Sequence, residues 1–456
     1  MNFNHDSAVM ENAGLMVKDA MPYQGFMPYQ YTDPRNELLG AREGAWLGCY
    51  LNMAMFCRME VFGPDAAEFL NSVCVNRNFN KMKVGGSRHA LICNDKGQIV
   101  ATGVITRTED RFLTFCVGQI LGCYAAKTDL DVTVEVKEEF MYQIDGPRSL
   151  EIMEEAAQCD LHDMKFGANR YIEIAGKNVF IYRLGMSGAL GYEMHGAPED
   201  ADVVYRAIME AGKDKGLRQL GIRNYCSNHS SGGYPNQYIH FDLPWNAESL
   251  GKEMAAALGF PGFPLSGSAK DDNQNYYVTP YMVGWGGLVN FDHDFPGKEA
   301  LLRERDEDTY RKVVTLEWNL EDVKNLYFDE IFGRVDEDED ILGFREMLAD
   351  FRRAHADRVV DGDKTIGIAA GRTIDYFYEK FISLAYLDRD YLEEGTQVEI
   401  LWGTPGSDQR RIRAPVARFP YFDGEYRNET YDVVAIVPRK FEDDGLLFNS
   451  YLVECF

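Results

Sequence analysis

Short strand-like segments and amphipathic helices follow one another irregularly along residues 58–212, and this order constrains the fold more than any other feature. A helix is predicted near residues 65–75 with Asp65 as its N-cap, and short strands follow it at 89–93, 98–107 and 111–117. A second helix, a hairpin around Gly176 and a third helix at 200–212 complete the series. The regular strand–helix–strand alternation of a parallel sheet is missing, so the sequence predicts an α+β fold.

The chain is long enough for more than one hydrophobic core, because it has 456 residues. We predict a core region over residues 1–300, made of two interleaved subdomains of which one spans about 58–140. A charge cluster at residues 303–308 indicates a boundary, and strand-like segments follow it at 313–318 and 398–402. Residues 301–456 are therefore predicted to form a β-rich domain that carries an acidic insertion near 336–340.

The charge of the chain excludes several classes of partner. The formal net charge is -26, from 73 acidic and 47 basic residues. Such a field repels phosphate backbones and anionic lipid surfaces, so neither nucleic acid nor membrane is an expected partner. No stretch approaches the roughly 20 apolar residues that span a bilayer, and no secretory signal is visible at the N-terminus. We therefore expect a cytoplasmic protein.

Metal chemistry is not expected either. The nine cysteines are scattered without a Cys-x-x-Cys pair, which is typical of reduced thiols rather than of a zinc site. The adjacent residues Asp292, His293 and Asp294 could suggest ligands, but three neighbours in a strand or turn point in different directions. The sequence thus predicts no metal site.

Three segments carry the chemistry. Residues 184–194 form a glycine-punctuated turn that leads Glu193 into a strand, residues 221–228 follow the next helix, and residues 276–301 contain two further glycine- and aromatic-rich runs. In their order and spacing these segments resemble the T-protein of the glycine cleavage system and its relatives. Residues 63–66, 94–97 and 146–149 match that family too.

Within that family, the chain resembles the bacterial vanillate/3-O-methylgallate and syringate O-demethylases. The resemblance implies three domains around a central folate channel, with a C-terminal β-barrel. It implies a tetrahydrofolate-dependent O-demethylase, in which a methyl group passes from a small methoxylated aromatic substrate to tetrahydrofolate. The products would be a phenol and 5-methyltetrahydrofolate. Oligomeric state stays open.

The resemblance also implies cofactor-binding residues. Glu193 matches the family's folate-binding glutamate, and a carboxylate can accept the paired N–H donors of a pterin edge. Gln143 matches a glutamine that contacts the pterin, and Tyr234 matches an aromatic residue that could stack on a flat ligand. Tyr192, the neighbour of Glu193, is assigned to the same group.

Catalytic and substrate-binding residues follow from the same resemblance. Tyr225 falls where the demethylases have a catalytic tyrosine, and Tyr31 matches a second tyrosine of the pocket. The reference pKa of tyrosine, near ~10, suits protonation of a leaving phenol oxygen. Arg107 or Arg223 could hold a substrate carboxylate, and His229 is also predicted to contact the substrate.

Some positions depart from the family pattern. T-proteins carry an Asp-Asp pair where this chain has Ala101 and Thr102, which argues against aminomethyl transfer from glycine and leaves demethylation intact. The demethylases' Glu-Ser-Gly-Trp is replaced by residues 231–234, and the match over residues 52–56 is poor, so a different substrate pocket is expected. The alternatives are a folate-dependent N- or S-demethylase or aminomethyltransferase, and a folate-binding protein without catalysis.

Overall fold

The computed structural model describes residues 7–18, 26–49, 58–76, 78–237, 239–244, 265–272, 276–335, 341, 354–423 and 427–436. Its helices and largely antiparallel sheets confirm the α+β class. Besides a two-stranded ribbon of Leu15–Lys18 and Phe26–Gln30, the described strands form a six-stranded sheet, a five-stranded sheet and a closed barrel. The acidic insertion predicted at residues 336–340 lies outside the described residues.

The six-stranded sheet has the strand order Asn169–Ile174, Lys177–Tyr182, Gly191–Gly196, Phe140–Asp145, Ala45–Cys49 and Leu217–Leu220. All neighbours are antiparallel except the last pair. The predicted hairpin around Gly176 forms its first edge, where Gly176 has a φ of +75°. The two central strands of this sheet carry Glu193 and Gln143.

The five-stranded sheet has the order Ser87–Cys93, Ile99–Arg107, Phe112–Phe115, Arg58–Phe62 and Thr133–Lys137. The predicted turn at residues 94–97 joins its first two strands, and the amide of Gly97 donates to the carbonyl oxygen of Asn94 over 2.8 Å. These strands lie within residues 58–140, although the division into subdomains stays a proposal.

The barrel contains the strands Ala354–Asp361, Lys364–Asp375, Lys380–Leu387, Lys312–Trp318, Arg410–Ala417 and Gln397–Trp402. Strand Gln397–Trp402 pairs with Ala354–Asp361, which closes the six strands into a ring. A short strand, Leu265–Ser266, adds to the outside of this ring in parallel. The predicted C-terminal β-barrel is thereby confirmed.

The helices span Pro34–Glu43, Ala66–Val73, Gly118–Ala125, Ser149–Ala157, Ala201–Gly212, Tyr225–Gly232, Lys298–Glu307, Leu320–Ile331 and Val433–Ile436. Val204, Ile208 and Ala211 are buried on one face of Ala201–Gly212, as their spacing predicted. Within the described part of the chain, no helix is long and apolar enough to cross a membrane.

Two charged segments show what local composition leaves open. Asp65 is the N-cap residue of the helix Ala66–Val73, as predicted, but its side chain makes no capping bond; Asp65 Oδ2 instead accepts a hydrogen bond from the amide of Asp131 over 2.8 Å. In the charge cluster at residues 303–308, the residues up to Glu307 form the second half of the helix Lys298–Glu307, and the domain boundary predicted near it stays a prediction. Exposed charges on a helix face and charges in a loop give the same local composition, so the sequence did not separate them.

Candidate active site

A cavity of about 550 Å³ lies between the six-stranded and five-stranded sheets and reaches the end of the barrel. Strands of both sheets and residues of the connecting loops line it. Its described lining includes Arg88, His89, Thr102, Phe115, Gln143, Glu193, His229, Tyr234, Trp285 and Glu429. Most of the lining is apolar or uncharged, which suits a flat, largely apolar ligand.

One wall of the cavity is a row of hydrogen-bond acceptors. Glu193 and Gln143 lie directly opposite each other on neighbouring antiparallel strands, and both line the cavity. The Gln143 amide donates to Asp145 Oδ1 over 2.9 Å, which leaves the Gln143 carbonyl oxygen for a ligand. A carboxylate beside a carbonyl oxygen fits a ligand edge that carries several N–H donors.

Tyr192 does not share this wall. Its side chain is fully buried in the core behind the sheet, because successive residues of a strand point to opposite faces. Tyr192 does not line the cavity. Its position therefore does not support the cofactor-binding role that was predicted because it is adjacent to Glu193 in the sequence.

Tyr234 and His229 line the opposite part of the cavity. Gly233 has a φ of +75° and ends the helix Tyr225–Gly232, so that Tyr234 leaves the helix towards the cavity. The ring of Tyr234 lies 5.8 Å from the guanidinium carbon of Arg427. Burial lowers the pKa of His229 to about 3, so its ring is neutral at pH 7. Its Nδ1 lies 3.1 Å from the carbonyl oxygen of Tyr234.

Of the two tyrosines predicted as catalytic, the structure describes the side chain of Tyr31 and not that of Tyr225. Tyr31 lies outside the cavity lining, and its buried hydroxyl donates to the carbonyl oxygen of Val9 over 2.5 Å. This bond fixes Tyr31 as part of the packing around the N-terminal segment. The helix Tyr225–Gly232 begins at Tyr225, but the side chain of Tyr225 lies outside the described part of the structure. Its catalytic role stays a prediction.

The two arginines predicted to hold a substrate carboxylate lie elsewhere. The guanidinium of Arg107 donates to the carbonyl oxygens of Phe79, Asn80 and Met82. The guanidinium of Arg223 donates to Gln30 over 2.5 Å. Neither arginine lines the cavity, so these positions do not support the predicted contact. Arg107 donates to main-chain carbonyl oxygens and Arg223 donates to the side chain of Gln30, and sequence position alone does not reveal either partner.

The position of the missing T-protein carboxylates holds a neutral pair. Thr102 lines the cavity, and its Oγ1 lies 2.6 Å from Nε2 of His89. Burial lowers the pKa of His89 to about 4, so the ring is uncharged at neutral pH. Trp285 contacts it edge-on, with ring centroids 4.6 Å apart. His89 was not singled out from the sequence, because only the register of its strand places it beside Thr102.

A second group that sequence reasoning missed lies behind Glu193. His195 Nε2 is 2.8 Å from Glu193 Oε1, and His195 Nδ1 is 2.6 Å from Glu139 Oε1. Arg58 donates to both oxygens of Glu139, over 3.1 and 2.9 Å. The spacing of Glu193 and His195 by two residues on a strand was a visible signal, since such residues share a face.

Comparison with known proteins gives the family. Residues 16–236 match the family described as the GCVT N-terminal domain. Sesamin methylene transferase of Sinomonas sp. (strain No.22) is 42% identical over 434 residues, which cover 91% of this chain and 94% of that protein. The chain belongs to the T-protein-like aminomethyltransferase family. It is an enzyme of this family of one-carbon group transferases, as the resemblance in the sequence implied.

Other members of the T-protein-like family extend the match. Syringate O-demethylase of Sphingobium sp. is 28% identical, with 91% of this chain and 95% of that protein covered. An aminomethyltransferase of Saccharopolyspora erythraea is 25% identical, with 82% and 87% covered. The fold is similar to the crystal structure of aminomethyltransferase T from Bartonella henselae, with a TM-score of 0.61 at 16% identity over 92% of this chain and 98% of that chain. This similarity confirms the T-protein-like fold.

Proposed function

We propose that this enzyme transfers a one-carbon group from an aryl ether to tetrahydrofolate. The observation that carries the proposal is the acceptor wall formed by Glu193 and Gln143 in the 550 Å³ cavity. A pterin presents an edge of N–H donors, which pairs with a carboxylate and a carbonyl oxygen. The relatives named as a sesamin methylene transferase and a syringate O-demethylase support an ether as the donor.

The chain's own residues would do three things in this reaction. Glu193 and Gln143 hold the pterin, and the aromatic lining excludes water. Together the lining residues orient the two ligands so that the nitrogen and the ether carbon are in line. When bound, tetrahydrofolate supplies the nitrogen that accepts the carbon. The carbon–oxygen bond breaks with its electron pair passing to the aryl oxygen, and the proton displaced from nitrogen balances the phenol that forms.

The leaving oxygen needs a hydrogen-bond donor. The Thr102 hydroxyl lines the cavity beside the neutral ring of His89, and this pair can donate to a phenolate oxygen. Tyr225 stays the predicted alternative donor. Thr102→Val removes the hydroxyl at nearly constant volume, so we expect kcat to fall roughly 100-fold with a smaller change in KM for tetrahydrofolate. Steady-state kinetics with Ser72→Ala as a control measures this; equal kcat values would remove Thr102 from the reaction.

Two ether classes are compatible with this chemistry. A methoxyarene gives a phenol and 5-methyltetrahydrofolate, which is the reaction expected from the sequence. A methylenedioxyarene gives a catechol and 5,10-methylenetetrahydrofolate, with both aryl oxygens protonated at the expense of two nitrogen protons. The 42% identity to a protein named as a methylene transferase, against 28% to one named as an O-demethylase, favours the second class.

The test uses donors labelled with ¹³C at the ether carbon. We expect anaerobic incubation of the full chain with tetrahydrofolate to move the label onto the folate, as a methyl group from guaiacol or as a methylene bridge from 1,3-benzodioxole. Mass spectrometry of the folates and phenols identifies which reaction occurs, and reactions without tetrahydrofolate are the control. If no ether labels the folate while dimethylglycine or a methylsulfonium compound does, the aryl-ether proposal fails and the alternative demethylase stands.

The charges in the cavity lining restrict the donor further. Among its described residues the charged side chains are Arg88, Glu193 and Glu429, and both lining histidines have lowered pKa values. Arg88 already donates to the carbonyl oxygen of Asn78 over 3.0 Å. A substrate carboxylate would therefore enter an apolar cavity beside two acidic side chains, and burial of an unpaired charge is costly. This favours an uncharged ether.

Matched arenes test this preference. We expect kcat/KM for methyl vanillate to exceed that for vanillate by about tenfold or more, because each 1.4 kcal/mol of desolvation cost that the charge adds is worth a factor of ten. The methyl ester of 3,4-methylenedioxybenzoate should likewise exceed the acid. A methyl ester removes the charge and adds one methyl group, so each acid and its ester form a closely matched pair. A higher kcat/KM for either acid than for its ester would show a cation at the donor site.

A further inference from the structure

Glu193 is the inner end of a chain of charged groups that runs from the cavity to Arg58, at the start of the strand Arg58–Phe62 of the five-stranded sheet. His195 lies between two carboxylates, with Nε2 2.8 Å from Glu193 Oε1 and Nδ1 2.6 Å from Glu139 Oε1. His195 is 2% exposed. Beyond Glu139, the buried guanidinium of Arg58 closes the chain through two hydrogen bonds of 2.9 and 3.1 Å.

The two short contacts of His195 define its protonation. A neutral imidazole has one N–H, so it can donate to one carboxylate and must turn a lone pair towards the other. An imidazolium donates to both, and the alternating charges of Arg58, Glu139, His195 and Glu193 then sum to zero. Burial by itself would lower the pKa of His195, but the carboxylates of Glu139 and Glu193 outweigh burial and raise it. The charged form is thus the one that the geometry fits.

The other described groups around His195 do not supply a competing charge. From the neighbouring strands, the rings of Tyr182 and Phe115 contact it with centroids 5.8 and 5.6 Å away. The hydroxyl of Tyr182 is bonded to Thr106 over 2.7 Å, and its pKa is raised to about 12 by burial, so it is neutral. The titratable and charged groups that face His195 are therefore Glu139, Glu193 and Tyr182, with Arg58 behind Glu139.

We propose that His195 is a positioning residue for the pterin, which as an imidazolium keeps Glu193 ionised and holds its carboxylate towards the cavity. The inference rests on the proposed function, since it assumes that Glu193 receives the pterin. An ionised carboxylate only accepts hydrogen bonds, which is what the N–H edge of a pterin requires. Loss of one proton leaves the His195 ring with a single N–H, so that Glu193 either loses the bond that orients it or takes up a proton and no longer acts only as an acceptor.

The test is the affinity of the full chain for tetrahydrofolate between pH 6 and 9.5, measured anaerobically by calorimetry. We expect Kd to be lowest on the acid side and to rise with pH through the raised pKa of His195. His195→Phe keeps a ring against Phe115 and Tyr182 but has no donor. It should weaken binding by about tenfold or more at pH 7, the value of one hydrogen bond to a charged group, and its Kd should no longer depend on pH in this way.

Two further readouts separate positioning from a structural role. His195→Gln keeps one N–H donor and should restore part of the affinity, while kcat at saturating tetrahydrofolate stays within a few-fold of wild type in both variants. A structural defect would lower the amount of active protein without flattening the pH dependence of Kd. Wild-type Kd values in His195→Phe at every pH would overturn the inference while the proposed function stands; no binding of tetrahydrofolate by wild type would overturn both.

A spectroscopic measurement on wild type does not depend on the variants folding. In protein labelled with ¹⁵N-histidine, both ring nitrogens of His195 should show the protonated signature at pH 7, whereas His89 and His229 should each show one unprotonated nitrogen. An unprotonated nitrogen in His195 at pH 7 would refute the imidazolium and with it the proposal.

Discussion

Glu193→Gln is expected to raise KM for tetrahydrofolate roughly 100- to 1,000-fold. The variant replaces a carboxylate that accepts through both oxygens with an amide that accepts through one, and it turns an NH₂ group towards the donor edge of the pterin. Hydrogen bonds to charged groups contribute about 1.5–3 kcal/mol each, and two are weakened or lost. It also leaves His195 without the charge of its inner partner, 2.8 Å away.

The control for this variant is Glu173→Gln. Glu173 lies on the edge strand of the same six-stranded sheet and is exposed, so the same chemical change occurs without contact to the cavity. Kinetics at fixed donor and varied tetrahydrofolate, together with a direct Kd, should separate the two variants. If both bind tetrahydrofolate like wild type, the acceptor wall does not receive the pterin and the folate must bind elsewhere.

Arg58→Met is expected to lower the free energy of unfolding by about 3–5 kcal/mol, which is the cost of removing one partner from a buried ion pair. The side chains of Arg58 and Glu139 are only 3% and 7% exposed, so the carboxylate would stay in the interior with His195 as its single charged partner. Methionine fills much of the space of the arginine stem, so the cost reflects the charge rather than a cavity. Thermal and denaturant unfolding measure the change.

The matched control is the double variant Arg58→Met/Glu139→Gln, which removes both charges. It should recover more than half of the lost stability, because a neutral amide is less costly to bury and still accepts from His195. If Arg58 stabilised the fold only through packing against the ring of Phe180, which lies 4.8 Å from its guanidinium carbon, the double variant would be no more stable than Arg58→Met.

The ion pair of Arg58 and Glu139 also predicts how the free energy of unfolding changes at acidic pH. Burial would raise the pKa of Glu139, but His195 and Arg58 lower it below the ordinary value of 4.5. A depressed carboxyl pKa stabilises the fold above the unfolded value, and this contribution is lost as pH falls through the folded pKa. The stability difference between wild type and Arg58→Met should therefore be largest above pH 4.5 and shrink on acidification. A difference that is constant with pH would show that the charge of Glu139 is not involved.

The sequence by itself determined the class of the fold and identified Glu193 and Gln143, two residues that line the cavity. Alternation in the strands, the turn at residues 94–97 and the apolar face of Ala201–Gly212 depend on local periodicity, which is set by neighbours a few residues apart. The glycine-rich approach and strand placed Glu193 on a wall of the cavity, and Gln143 was found on the opposite strand. Family resemblance and local pattern agreed at these positions.

Only the tertiary structure decided to which face of its strand each side chain points and which residues it contacts there. Tyr192 points to the opposite face of the strand from Glu193 because adjacent strand residues alternate. The carbonyl oxygen of Met82, which accepts from Arg107, comes from a residue 25 positions away in the chain. The sequence did not identify His195 because its role depends on a contact with Glu139, which is 56 residues away in the chain. Protonation depends on burial and on charges brought together by folding, so only the packed sheets could show that the pKa of His195 is raised and that the pKa values of His89 and His229 are lowered.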